Sequence, residues 1–136
     1  MRLEDVVHEW LRKGQQDANS ARFLLNMVPP PLEIIGFHAQ QAVEKSLKGM
    51  IVRAGVDPPR THDLVYLHHQ CAEQAGIDLQ AIELCARLTP YAVDQRYPTD
   101  NDPDHDQVLR DVTAMEDFVN SISKRLEATE SDESQL

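Results

Sequence analysis

The stretch Phe37-His38-Ala39-Gln40-Gln41-Ala42-Val43-Glu44-Lys45-Ser46-Leu47-Lys48 (residues 37–48) decides the fold, because it carries two stripes at helical spacing. Apolar residues recur at three- and four-residue steps, as they do on a helix face that packs against a core. Small residues at Ala39 and Ala42 let a neighbouring helix come close. The second stripe is polar and consists of His38, Gln41, Lys45 and Lys48. The stretch therefore predicts a central helix that is packed on one side and presents cations on the other.

The residues before this stretch predict one more helix. Apolar residues at helical spacing predict a first helix from about Leu3 to Asn26, and the prolines at 29–31 end it before the central helix begins. Gly14 interrupts its apolar stripe at a cost of about 1 kcal/mol relative to alanine. We attribute that glycine to a close crossing with another helix.

The residues after the stretch predict three further helices. The central helix ends near Gly55, a residue type that favours helix C-termini. Thr61 is the predicted N-cap of a third helix, and Asp78 is the predicted N-cap of a shorter fourth helix. Asp104 caps a last helix that runs to about Leu126 along the most regular apolar stripe of the chain.

These elements define an all-α fold, an up-and-down antiparallel bundle of four main helices plus a short extra helix. At 136 residues the chain is long enough for one domain with its own core. We assign the bundle to residues 1–126. Residues 127–136 form a polar, acidic tail that we expect to be disordered.

The charge of the chain excludes a broad nucleic-acid-binding surface. The net charge is -10, whereas a phosphate-binding surface needs clustered lysine and arginine. The charge is uneven, because the segment from His38 to His62 holds four bases and two acids. An anionic ligand would bind near this segment. The alternative interpretation is an ordinary solvated helix face.

Cysteine content and hydropathy indicate a cytoplasmic protein. The two cysteines, Cys71 and Cys85, are too few for a disulfide framework and are expected to be free core thiols. No stretch of about 18 apolar residues predicts a membrane span. The first residues carry acids where a signal peptide would carry bases.

The acidic run near residue 100 does not predict a metal site. His105 occupies the position where an EF-hand loop needs glycine, and Pro103 stiffens the loop. No His-x-x-x-His pair with a third ligand predicts a zinc site either. We therefore expect neither a metal nor a cofactor, and we interpret the acids as solvated residues that cap a helix.

One polar set is the candidate binding site. Lysine and arginine suit phosphate oxygens, and a tyrosine ring offers a stacking surface for a base. The set consists of His38, Gln41, Lys45, Lys48, His62, Arg96 and Tyr97. In the structural alternative, Arg96 pairs with a carboxylate such as Asp94 or Glu44, and His62 satisfies a helix end. The residue types alone leave both interpretations open.

The same residues resemble those of the HEPN family (higher eukaryotes and prokaryotes nucleotide-binding). The resemblance covers about residues 5 to 126. It depends on three motifs in order, which are the stretch at 37–48, Arg60-Thr61-His62-Asp63-Leu64, and Tyr91-Ala92-Val93-Asp94-Gln95-Arg96-Tyr97-Pro98. It implies a helical bundle that is commonly a homodimer, in a prokaryotic two-gene toxin–antitoxin setting with a small nucleotidyltransferase as partner.

Ribonuclease members of this family carry an arginine, four to six residues, and then a histidine. In this chain Arg60 is followed by His62, which is too near, and by His68, which is one residue too far. Eight residues separate Arg96 from His105. A pair at residues 2 and 8 fits by count but lies at the start of the first helix. The resemblance therefore leaves enzymatic activity undecided.

Three functional hypotheses follow. The first is a nucleotide- or anion-binding module that holds a nucleotide or an RNA end and associates with the nucleotidyltransferase. The second is a metal-independent toxin-type ribonuclease, with His38 or His62 as general base and Arg96 stabilising the charge on the phosphorane. The third is a purely structural dimeric interaction module.

Overall fold

The computed structural model of the chain describes residues 2–75, 78–92 and 103–134. Within these ranges the chain forms α1 (Leu3–Leu24), α2 (Leu32–Arg53), α3 (Leu64–Ala75), α4 (Leu79–Leu88), a 3₁₀ helix (Thr89–Ala92) and α5 (His105–Ser134). The predicted all-α antiparallel bundle with a short extra helix is confirmed, and α4 is that short helix. None of the described helices combines the length and the apolar character that crossing a membrane requires.

Helix α2 is the centre of the bundle. It packs against α1, α3, α4, the 3₁₀ helix and α5. Its apolar stripe is buried, and Ile35, Val43 and Leu47 are each at most 1% exposed. The predicted role of the stretch at 37–48 as a central helix is therefore confirmed.

The crossing of α1 and α2 is close at Gly14. A Cβ atom on Gly14 would lie 3.2 Å from the carbonyl oxygen of Ala42 and 3.3 Å from Oγ of Ser46. These distances are shorter than ordinary van der Waals contacts, so a Cβ atom here would need the two helices to shift apart by a few tenths of an ångström. The predicted reason for this glycine is confirmed.

Two of the predicted helix caps are present. The Asp78 carboxylate accepts hydrogen bonds from the backbone N–H groups of Gln80 at 3.0 Å and Ala81 at 3.3 Å. The Asp104 carboxylate accepts one from the backbone N–H of Gln107 at 3.0 Å. Both acids satisfy donors that a helix start leaves without intrahelical partners.

The predicted N-cap of α3 is wrong. The helix begins at Leu64, and the carboxylate of Asp63 accepts a hydrogen bond from the backbone N–H of Tyr66 at 3.2 Å. The Thr61 hydroxyl oxygen instead accepts from the backbone N–H of Asp63, before the helix starts. Both residue types are good N-caps, and the pattern alone did not decide between positions two residues apart.

Helix α5 is longer than predicted. Its stripe from Val108 to Leu126 is buried, as the spacing indicates, but the helix ends at Ser134. Residues 127–134 contain neither proline nor glycine, so nothing in the sequence breaks the helix where a disordered tail is predicted. The domain boundary at residue 126 stays a prediction.

Both thiols belong to the core. Cys71 and Cys85 are free and buried. Burial raises the pKa of the Cys71 thiol to about 11 and that of the Cys85 thiol to about 12, because a thiolate is poorly solvated in the core. These cysteines therefore have packing roles, and the thiolate that nucleophilic chemistry needs is disfavoured.

Candidate functional site

The first polar group lies between α1 and α2. Asp17 of α1 points at α2, and one of its carboxylate oxygens lies 2.9 Å from Nδ1 of His38. The other oxygen accepts a hydrogen bond from Nζ of Lys45 at 2.5 Å. The three side chains are 13%, 28% and 24% exposed, so the group lies at the edge of the helix contact. We name Asp17, His38 and Lys45 the Asp17 group.

The second polar group surrounds Glu44 on α2. The Glu44 side chain is 5% exposed, and its Oε1 atom lies 2.6 Å from Nδ1 of His62. The same oxygen accepts from the amide of Gln40 at 3.1 Å, while Oε2 accepts from Nζ of Lys48 at 3.3 Å. The Gln40 amide also donates to the backbone carbonyl of His62 at 3.2 Å. We name Glu44, Gln40, Lys48 and His62 the Glu44 group.

These contacts change the predicted role of the two lysines. Lys45 neutralises Asp17, and Lys48 neutralises Glu44. The Lys48 side chain is only 9% exposed, and its ammonium also lies 5.8 Å from the centre of the Trp10 ring. Each group is electrically neutral when its histidine is neutral, and carries one positive charge when the histidine is protonated.

The two histidines are held in the same way. An ionised carboxylate only accepts hydrogen bonds, so Nδ1 of each ring carries the hydrogen that faces it. In the neutral ring Nε2 is then left as an acceptor. The His62 side chain is 66% exposed, whereas that of His38 is 28% exposed. Of these two rings, His62 offers its free nitrogen to solvent more openly.

The structure brings together the predicted residues it describes, in two neighbouring groups. Gln41 lies on the same stripe of α2 as His38 and Lys45, and its amide donates to the side-chain oxygen of Gln40 in the Glu44 group at 2.6 Å. It thereby connects the stripe with the second group. The remaining predicted residues, Arg96 and Tyr97, lie outside the described residues.

Sequence reasoning missed the two carboxylates that organise the site. Asp17 lies on the buried side of α1, near Gly14, Ala18 and Ala21. A carboxylate within a stripe of small buried residues needs a hydrogen-bond or charge partner. This requirement is the signal in the sequence that could have identified Asp17 as a site residue. The sequence suggests Glu44 only as one possible partner for Arg96. The position of Glu44 on α2 does not show from which nearby side chains it accepts hydrogen bonds.

No group of three or more histidine, cysteine, aspartate or glutamate residues is placed to hold a metal ion in the described part of the chain. Asp111, at the end of the acidic run, has a different role. It accepts hydrogen bonds from Nε of Arg87 at 2.8 Å and from the amide of Gln107 at 2.9 Å. It therefore connects α4 to α5.

His68 on α3 lies apart from both groups and is 5% exposed. Its burial lowers the pKa of the imidazole below the usual 6.5, with a further contribution from neighbouring His69, while Asp78 acts in the opposite direction. The unfolded chain therefore binds a proton more readily than the folded chain. The neutral His68 ring therefore makes its full contribution to the free energy of unfolding above about pH 6.5. That free energy falls as the pH drops below this value.

We expect the His68→Leu variant to lose part of this acid sensitivity. Urea unfolding at several pH values between 7.5 and 5 measures the effect. The free energy of unfolding of the variant should fall less than that of the wild type. The exposed neighbour supplies the control, because burial is the largest cause and His69→Leu should keep most of the wild-type slope. Parallel curves for all three proteins would contradict the prediction.

The architecture defines a class of protein, a single helical bundle with carboxylate–histidine–lysine groups beside its central helix. A family model described as HEPN domain matches residues 7–126. The chain belongs to the HEPN family. This membership supports a nucleotide-binding or ribonuclease-type module as the general class of function.

A solved structure confirms the fold independently. The crystal structure of TT1696 from Thermus thermophilus is similar to this chain with a TM-score of 0.74, over 88% of this chain and 97% of that chain. The sequence identity is 18%, so the similarity concerns the fold. A search of curated proteins found no match.

Proposed function

We propose that the chain is a nucleotide-binding module whose ligand lies along the exposed edge of α2, against His62, His38 and Lys45. The observation that carries the proposal is the state of His62. Its ring is 66% exposed, yet its Nδ1 atom lies 2.6 Å from a carboxylate that is 5% exposed. A surface ring held by a buried acid is oriented before a ligand arrives, so less conformational entropy is lost on binding.

The available atoms suit different parts of a nucleotide. Nε2 of a neutral histidine accepts a hydrogen bond from a ribose hydroxyl or a base amine. Lys45 uses one ammonium hydrogen on Asp17, and its remaining donors suit phosphate oxygens. On sequence grounds we also assign Arg96 a bidentate contact with a phosphate group and Tyr97 a stacking contact with the base. Lys48 supports the site by balancing the charge of Glu44.

The His62→Gln variant is expected to bind ATP about tenfold more weakly, which corresponds to one lost hydrogen bond. Its stability should fall by no more than about 1.5 kcal/mol, the usual contribution of the one hydrogen bond to Glu44 that is lost. Glu44 also keeps its contacts with Lys48 and Gln40. Isothermal titration with ATP, AMP and GTP measures binding, and thermal unfolding checks the fold.

The matched control is His69→Gln, the same substitution at an exposed histidine of α3. It should bind like the wild type. Equal affinities for all three proteins would contradict the assignment of His62. If the wild type binds none of these three nucleotides, the proposed function itself is contradicted.

A metal-independent ribonuclease is the second candidate, and the contact between His62 and Glu44 favours it. A histidine whose Nδ1 is held by a carboxylate has its Nε2 ready to remove a proton, which is the arrangement of a general base. On this hypothesis His62 takes the proton of the ribose 2′-hydroxyl, whose oxygen attacks the adjacent phosphorus to form a 2′,3′-cyclic phosphate. The P–O bond to the next nucleotide breaks, and its 5′-oxygen leaves as a hydroxyl after taking a proton from solvent. Cleavage of an RNA oligonucleotide should slow by about 10²–10⁴-fold in His62→Gln. A strand with deoxyribose at the cleavage site should resist the wild type; its cleavage would contradict the mechanism.

We further propose that the chain forms a homodimer and associates with a nucleotidyltransferase-type protein, as the family resemblance implies. Exposed apolar side chains near the turn between α1 and α2 support a protein contact there. Phe23 is 70% exposed, Met27 50% and Val28 98%. Such side chains mark interaction surfaces when they occur together. Light scattering after size exclusion tests the homodimer, and the mass of a single chain would contradict it.

A further inference from the structure

The direction of the Gln40 side-chain amide is fixed by two acceptors. Gln40 is buried, and its Nε2 atom donates to Oε1 of Glu44 at 3.1 Å and to the backbone carbonyl of His62 at 3.2 Å. Neither partner has a hydrogen to offer in return, because an ionised carboxylate and a carbonyl only accept. The amide therefore cannot be reversed, and its Oε1 atom needs a donor from elsewhere.

That donor is the amide of Gln41, whose direction is fixed in turn. Nε2 of Gln41 donates to Oε1 of Gln40 at 2.6 Å, and Oε1 of Gln41 makes no hydrogen bond within the described residues. In this part of the chain the buried side-chain atoms without a partner are Oγ of Ser46 and Nδ1 of His68. Since Oε1 of Gln41 is not among them, it is open to solvent and is available as an acceptor.

His38 places a second acceptor on the same edge of α2. Its Nδ1 atom lies 2.9 Å from a carboxylate oxygen of Asp17, so Nδ1 carries the hydrogen and Nε2 of the neutral ring accepts. For the reason given for Gln41, this Nε2 atom is without a partner in the described residues and is open to solvent. His38 and Gln41 are three residues apart and are therefore neighbours on the helix surface. The edge thus presents two neighbouring acceptors of fixed direction.

Two neighbouring acceptors suit a ligand with two neighbouring donors. In a nucleotide the 2′- and 3′-hydroxyls of ribose lie on adjacent carbons and on the same side of the sugar, and each has a hydrogen to donate. Ionised phosphate oxygens only accept, so a phosphate group does not suit this pair. Rossmann folds use an acidic side chain in a comparable way, as an acceptor for the 2′-hydroxyl. The same hydroxyl is the group by which a protein distinguishes RNA from DNA.

We propose that Nε2 of His38 and Oε1 of Gln41 bind the two vicinal hydroxyls of ribose, so that the site selects ribonucleotides over deoxyribonucleotides. The inference rests on the proposed nucleotide function and adds the class of sugar that the site takes. Lys45, four residues beyond Gln41, remains for a phosphate group, and Nε2 of His62 remains for a base amine. Gln40 is a positioning residue, because it acts through the amide of Gln41.

Nucleosides without a phosphate group test the sugar contacts alone. At about pH 8, where histidine is neutral, adenosine should bind about three- to tenfold more tightly than 2′-deoxyadenosine or 3′-deoxyadenosine, the usual effect of one lost hydrogen bond. NMR titration of ¹⁵N-labelled protein measures the three affinities. Equal affinities would overturn the inference and leave the nucleotide function standing. Absence of adenosine binding would overturn it as well, and if ATP also fails to bind, the proposed function falls with it.

Methyl ribofuranoside separates a nucleoside site from a site for any sugar with a vicinal diol. It should bind more weakly than adenosine, because it lacks the base. If it binds as tightly as adenosine, the diol contact stands and the nucleotide function alone is contradicted.

Two variants, His38→Phe and Gln41→Leu, each remove one acceptor. The wild type should prefer adenosine to 2′,3′-dideoxyadenosine by about 10–100-fold, and each variant should reduce this preference about three- to tenfold. A ratio of two affinities does not change when part of the protein is unfolded, so lost stability cannot imitate the result. The controls His69→Phe and Gln80→Leu, at exposed positions, should keep the wild-type preference. An unchanged preference in both variants would overturn the assignment. So would ring ¹⁵N spectra that place the hydrogen of neutral His38 on Nε2.

Discussion

Replacing Glu44 with alanine should lower the free energy of unfolding by about 3–5 kcal/mol, the usual cost of breaking a buried ion pair by removing one partner. Glu44 accepts from the side chains of Gln40, His62 and Lys48. The Lys48 side chain is 9% exposed and would be left without the carboxylate that it pairs with. Urea unfolding of Glu44→Ala measures the loss.

Two further variants identify the cause. Glu127→Ala removes an exposed glutamate of α5 and should change stability by no more than about 0.5 kcal/mol. The double replacement of Glu44 and Lys48 by methionine should recover most of the loss, since apolar residues of similar volume often replace a buried pair without cost. If the double variant is as unstable as Glu44→Ala, the stranded charge is not the cause.

Gly36→Ala should also destabilise the protein, by about 1–3 kcal/mol, through overpacking. Gly36 is buried on α2, and an added Cβ would overlap the ring of Tyr91 in the 3₁₀ helix. Alanine is the better helix former by about 1 kcal/mol, which offsets only part of this cost. Thermal unfolding measures the change.

The matched control lies on the same helix. A Cβ on Gly49 would meet Cδ2 of Leu11 at 3.3 Å and Cβ of Trp10 at 3.4 Å, contacts that a shift of a few tenths of an ångström relieves. Gly49→Ala should therefore change stability by about 1 kcal/mol or less. If both alanine variants behave alike, the Tyr91 ring yields as easily as Leu11, and the overpacking argument is wrong.

The fold was predictable because burial repeats along the chain. Positions such as Val112, Met115 and Val119 are spaced so that only a helix places them on one side, and each is at most 1% exposed. Helix ends were less predictable. Thr61 and Asp63 both favour a helix start, and in the folded chain it is the carboxylate of Asp63 that accepts a hydrogen bond from α3, at the backbone N–H of Tyr66.

The site was predictable in its residue types but not in its connections. The stripe with His38 and Lys45 is visible in the sequence, since it lies within one helix. The acid that holds both residues is Asp17, on another helix, 21 residues before His38. Such a contact depends on how two helices align, and a periodic pattern within one helix carries no information about that alignment. The two lysines that the sequence suggests for binding an anion, Lys45 and Lys48, are therefore found paired with carboxylates.

The Asp17 group has a consequence for the alignment of α1 on α2. Two helices that meet through small apolar residues such as Gly14 and Ala42 have several similar ways to pack, and sliding by one turn moves one past the other by about 5.4 Å. That slip would carry Asp17 away from both His38 and Lys45 and leave half-buried charges without partners. We infer that the Asp17 group selects a single register for this helix pair. Its three side chains contribute more to the discrimination between alignments than to net stability.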